Sequence, residues 1–126
     1  MMKKVFIVPI ALTSLLMSLP ASASEAALST AEIDKLMSGN SIAGVHYQKK
    51  TVQYFSKSGL TLWMSEGDAL PAEGQWKAED NQYCSDFGGG WGCYKVVNDK
   101  DQGIHYFLKG GFRAPFIVKK GYIFSF

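Results

Sequence analysis

Residues 82–97 read QYCSDFGGGWGCYKVV and hold both cysteines of the chain, Cys84 and Cys93, around three consecutive glycines, a tryptophan and a fourth glycine. The flanking segments QYCSD and WGCYKVV are β-type, and FGGG between them is turn-forming, which predicts a hairpin with one cysteine on each arm. Four chemistries fit these residue types: a metal site, a redox centre, a cysteine nucleophile, or a clip. A structural zinc ion usually takes four ligands. The only histidines, His46 and His105, belong to other segments, so a Cys-Cys-His-His site stays open on composition but lacks closely spaced ligand pairs. A redox pair normally has C-x-x-C spacing, and a nucleophilic cysteine would be consumed by pairing with its neighbour. The expectation is a disulfide closing a loop of eight residues, which by chain entropy contributes about 2–3 kcal/mol.

Cysteine chemistry depends on compartment, and the N-terminus addresses that. MMKKVFIVPIALTSLLMSLPASAS has a basic start at Lys3 and Lys4, an apolar run from Val5 to Leu19 and a small-residue site at Ala21-Ser22-Ala23. This is the pattern of a secretory signal peptide over residues 1–23, leaving one small domain over 24–126 in the periplasm or outside the cell. The run is shorter than the about 20 apolar residues of a membrane anchor, and no later segment is apolar enough to span as a helix. The precursor carries a formal charge of +2, but the mature chain balances eleven basic against eleven acidic residues. That balance, with no clustered basic face, gives no footprint for nucleic acid. The pairs Lys49-Lys50 and Lys119-Lys120 read as solvated turn or strand-end residues.

Outward from the hairpin, the pattern is a meander. SIAGVHYQ, TVQYFS, LTLWMS, GQWKAE, QYCSD, WGCYKVV, GIHYFLK, FRAPFIVKK and YIFSF are separated by turn clusters such as KK, SKSG, DN and NDKDQ. Leu60, Leu62 and Met64 alternate with Thr61 and Trp63, and Phe112, Ala114, Phe116 and Val118 alternate with Arg113 and Pro115, the two-residue period of strands. Ahead of the strands, STAEIDKLMSGN has Ser29 and Glu32 at capping-box spacing, Ile33, Leu36 and Met37 on one face and Gly39-Asn40 as a stop. The fold class is therefore mainly β: an antiparallel up-and-down barrel of about eight strands with one short N-terminal helix.

No catalytic constellation emerges. There is no G-x-S-x-G and no P-loop, NDKDQG lacks the carboxylates of an EF-hand loop, and Glu66, Asp68, Glu79 and Asp80 belong to turns. No cofactor and no metal are implied, and the chain reads as a non-enzyme. The three glycines either make the turn or let a partner approach Trp91 closely. The aromatic load fills a core, lines a barrel mouth, or does both. The alternation Tyr122, Phe124, Phe126 at the C-terminus is similar to the last strand of outer-membrane barrels, although eight membrane strands need more chain than this.

The run STAEIDKLMSGNSIAG, then YFSKSGLTLWM, EGQWKAEDNQYCSDF and GCYKVVNDKDQGIHYF, resembles a family of small exported bacterial lipocalin-like domains of unknown function. The resemblance covers about residues 29–108, carried by Leu36 to Asn40, Gly74 with Trp76, and Cys84 with Cys93 followed by Tyr94. FRAPFIVKKGYIFSF departs from its pattern. It implies a lipocalin-like barrel and export, and no activity. The expected function is non-catalytic binding of a small hydrophobic or envelope-derived ligand, with Trp63, Trp76, Trp91 and Tyr94 as contacts. The alternative is a protein-interaction module, an inhibitor or envelope-assembly factor, that presents the Gly88–Trp91 loop to an envelope protein. A small outer-membrane barrel subunit is a third possibility.

Overall fold

A computed structural model describes residues 25–126, so the leader read over residues 1–23 lies outside the described residues. The elements are β1 (Glu25–Ala27), α1 (Thr30–Met37), β2 (Asn40–His46), β3 (Lys49–Phe55), β4 (Leu60–Ser65), β5 (Ala72–Glu79), β6 (Gln82–Asp86), β7 (Gly92–Asp99), β8 (Ile104–Lys109) and β9 (Phe112–Lys119). Strands β2 to β9 pair antiparallel with their chain neighbours, and β9 returns to β2 through Ser41–Gly44 against Phe116–Lys119. The result is a closed eight-stranded up-and-down barrel. The first strand is extra. It pairs with Val97–Asp99 of β7, taking up an edge that the shorter β6 leaves free.

The helix is fixed at both ends by its sequence. The Ser29 hydroxyl accepts from the Glu32 amide and the Glu32 carboxylate accepts from the Ser29 amide, completing the capping box; these bonds hold the Glu32 carboxyl below its ordinary range. Asp80 and Asn81 both have positive φ, which suits a two-residue hairpin turn between β5 and β6. Asn81 then exchanges two hydrogen bonds with Thr30, tying this turn to the start of α1. Ile33 and Met37 are fully buried, where each stabilises by about 1.5–3 kcal/mol, and they pack with Phe55, Trp76, Tyr83, Val96 and Phe116. The helix therefore plugs one end of the barrel.

Closure needs glycine at two places. A Cβ on Gly44 would stand 2.6 Å from the Pro115 carbonyl oxygen, and one on Gly74 would stand 2.6 Å from the Asp86 carbonyl oxygen. At both, neighbouring backbone comes closer than any side chain allows.

Two expectations need correction, the KK turn and the terminal strand, and the structure decides which face of β4 is inside. The β2–β3 turn is Tyr47-Gln48, both at positive φ, and Lys49 and Lys50 begin β3. In β4 the polar-aromatic set faces in: Thr61 is fully buried and Trp63 faces the interior, while Leu60 is 41% exposed on the outside. The physical reason is a hydrogen bond, because the Thr61 hydroxyl donates to the Tyr54 carbonyl and accepts from Gln53. Finally, YIFSF forms no strand. Gly121 donates to Asn40, Ser41 donates to the Gly121 carbonyl, Ile123 donates back to Ser41, and Tyr122 packs edge-on against Tyr54. The tail thus lies along the outer wall, beside β2 and β3. The alternation read in β9 holds: Ala114 and Phe116 are buried, and Arg113 is exposed.

Candidate functional site

Opposite the helix the barrel is open. The inner half near α1 is filled by Phe55, Trp76 and Phe116, but above them lies a cavity of about 390 Å³. The strand pattern brings its walls together: His46 from β2, Gln53 from β3, Trp63 from β4, Ser85 from β6, Tyr94 from β7 and Phe107 from β8, with Phe112 and Phe87 at the lip. None of its lining residues is Asp, Glu, Lys or Arg. The aromatic groups support one another: Phe107 lies 4.9 Å from Tyr83 and 4.3 Å from Phe116, and His46 meets Trp63 and Phe112 edge-on.

One polar track crosses this surface. Gln53 donates through Nε2 to Thr61 Oγ1 at 2.9 Å and to the Tyr83 hydroxyl at 2.8 Å, and Ser85 stands beside that hydroxyl. Burial pushes the Tyr83 phenol up to about 12, with the hydrogen bonds from Ser85 and Gln53 opposing the shift.

The four expected contacts separate. Trp63 and Tyr94 line the cavity. Trp76 is buried toward the helix end, donates to the Ser56 carbonyl and packs on Phe55. Trp91 is 44% exposed with the Lys77 ammonium 4.3 Å above its ring. Gln53, Tyr83 and Ser85 were not singled out from sequence, because isolated polar residues in β patterns carry no signal until register places them on one inner face.

Cys84 and Cys93 are directly opposite across β6 and β7 and form a disulfide, so the open Cys-Cys-His-His reading falls. In the loop beyond them, Asp86 accepts from the amides of Gly88 and Gly90, both at positive φ, and nothing approaches where their side chains would be. These glycines serve the turn geometry. The other turn carboxylates have comparable duties: Glu66 accepts from the Lys50 amide, Asp68 from the Ser65 amide, and Asp99 from the amides of Asp101 and Gln102.

The histidines occupy opposite ends. His46 sits at the mouth, stacked on Tyr47, and His105 lies against Phe116 with its Nδ1 buried and unpartnered among the described residues. Burial lowers the pKa of both. A lowered folded-state pKa means that the unfolded chain takes up protons first, so stability is full above the ordinary histidine value of about 6.5 and declines as pH falls through it. Thermal melts should be flat from pH 8 to 7 and shift downward between 6.5 and 5.5, with a smaller shift in His105→Phe. An unchanged shift in that variant would remove His105 from the explanation.

The two ends also differ in their turns. Around the mouth, Tyr47 is 82% and Leu70 79% exposed, with Phe87 and Trp91 in the next loop, whereas the turns beside α1 read SKSG, DN and KDQG.

Fold and site together define a class: a disulfide-clipped antiparallel β-barrel, plugged by a helix at one end and entered through an aromatic mouth at the other. Comparison with protein-family models, curated proteins and solved structures gives no match to this chain.

Proposed function

We propose that this protein is a non-catalytic binding barrel that takes up a small, uncharged, largely apolar molecule through its open end. The observation that carries the reading is the cavity of about 390 Å³, walled by aromatic side chains and free of acidic and basic ones. Pockets of this size and polarity are what small-molecule sites look like. An ionised ligand would lose hydration there with no counter-charge to replace it. The resemblance to exported lipocalin-like domains bears on fold and export alone, and a disulfide in a small domain fits an oxidising compartment, the periplasm or the exterior.

A second reading rests on the exposed Tyr47, Leu70, Phe87 and Trp91 around the mouth, which would suit an interaction surface for an envelope protein. The outer-membrane reading has less support, since the barrel strands run five to eight residues and a tilted membrane strand needs about 9–11.

Native mass spectrometry of protein recovered from the periplasm without reductant tests the proposal. The expected result is an added mass that leaves on denaturation and is absent from Ala72→Trp, which fills the cavity from an exposed position at its lip. Bare protein under all conditions, or an adduct that survives Ala72→Trp, would sink the cavity reading.

A further inference from the structure

The polar track in the cavity is incomplete, and its gap has a definite chemistry. The Thr61 hydroxyl gives its only hydrogen to the Tyr54 carbonyl, so it must accept from Gln53, which fixes the Gln53 amide with Nε2 toward Thr61. Both Nε2 hydrogens are then used, the second on the Tyr83 hydroxyl. The Gln53 Oε1 receives no hydrogen bond from the described residues, on a side chain that is 5% exposed and lines the cavity. Beside it are the hydroxyls of Tyr83, which is 3% exposed, and of Ser85; they hydrogen-bond to each other, which leaves one of their two hydrogens to give.

The site thus offers one acceptor that wants a donor and, beside it, one hydroxyl hydrogen able to donate. A carboxylate fails here because it has no hydrogen for Oε1 and meets no cation. An ammonium group fails because no carboxylate lines the cavity. A hydrocarbon or an ether fits the walls but would cover Oε1 and leave it unpaired, which is costly for a polar atom cut off from water. A hydroxyl group both donates and accepts.

Resting on the proposed binding function, we infer that the ligand carries a neutral hydroxyl group, an alcohol or phenol on an apolar body, and that Gln53 Oε1 accepts its hydrogen while Tyr83 or Ser85 donates to its oxygen. Among the residues lining the cavity His46 is the one that can become a cation, and burial favours its neutral form; the Lys109 ammonium lies over the Tyr94 ring, outside that lining.

The test uses the intact, oxidised protein and four probes of one shape: naphthalene, 2-methoxynaphthalene, 2-naphthol and 2-naphthoate, titrated at pH 7.5 and followed by calorimetry. The expected result is that 2-naphthol binds at least about tenfold more tightly than 2-methoxynaphthalene or naphthalene, and 2-naphthoate most weakly. Equal affinity for the first three would overturn the hydroxyl assignment and leave the cavity reading intact. Binding of none of them would count against both, and preference for the carboxylate would overturn the assignment directly. In Gln53→Leu, with circular dichroism checking the fold, the preference for naphthol should vanish while naphthalene still binds. Retention of the tenfold preference there would mean that Gln53 does not read the hydroxyl. If that variant does not fold, Tyr83→Phe and Ser85→Ala take its place, at least one of which must narrow the preference.

Discussion

Phe55→Ala is expected to remove about 3–5 kcal/mol of folding stability. Phe55 is fully buried on β3, two residues beyond Gln53, with the rings of Trp76 and Tyr83 edge-on to it at 5.3 and 5.6 Å. It joins the helix plug to the floor of the cavity, since Ile33 and Met37 from α1 belong to the same buried cluster. Truncation would lose the transfer free energy of the ring and leave a void between two large aromatics that cannot both collapse into it. For a domain of this size, whose total stability is on the order of 5–15 kcal/mol, that is a large fraction. Urea unfolding monitored by circular dichroism would measure it as a lower midpoint at an unchanged slope. Phe55→Leu, which keeps most of the volume, should lose much less. A loss under about 1 kcal/mol for the alanine variant would mean that the helix and the barrel floor do not share one core.

The same residues mark the limit of what the sequence discloses. Helix α1 was legible because capping is local: Ser29 and Glu32 are three residues apart and Gly39 follows the last turn. The barrel was legible from the succession of short β segments, and the clip from the position of Cys84 and Cys93 on facing arms. Burial within β4 was not. There Leu60, Leu62 and Met64 are the apolar set of the alternation, yet the inner wall carries a Thr61–Gln53–Tyr83 track and the outer wall has its own apolar neighbours in Val52 and Tyr54. Apolar alternation reports which residues leave water; it does not say on which side when both walls are partly covered. Strand β1 was missed for a different reason, as Glu-Ala-Ala has no β propensity and is held by its pairing with Val97–Asp99 and by Arg113, which reaches across Tyr106 to Glu25. Trp76 and Trp91 carry the same aromatic label as Trp63, and only register separates core, outer surface and cavity wall.

Removing the disulfide by Cys84→Ala with Cys93→Ala should lower stability by about 2–3 kcal/mol and the melting temperature by about 10–20 °C. The loop it closes is short, so the entropic restriction of the unfolded chain is modest, but its place in the barrel makes it matter for binding too. Pairing between β6 and β7 has three register positions, Tyr83 to Ser85 against Gly92 to Tyr94, whereas β7 and β8 share five. The clip stands in the middle of this narrow seam, and both Tyr83 and Ser85 of the polar track lie on the β6 side of it with Tyr94 opposite. Without the covalent bond the seam has few backbone hydrogen bonds to keep it shut, so the mouth should loosen before the helix end unfolds. Wild-type protein in reductant should therefore reproduce the lower melt of the double variant, while reductant leaves the variant itself unchanged. Amide exchange in residues 85–93 should rise in both, and affinity for 2-naphthol should fall with it. Equal exchange in those residues with and without the disulfide would place the strength of the wall elsewhere, and would separate the stability of this barrel from the integrity of its cavity.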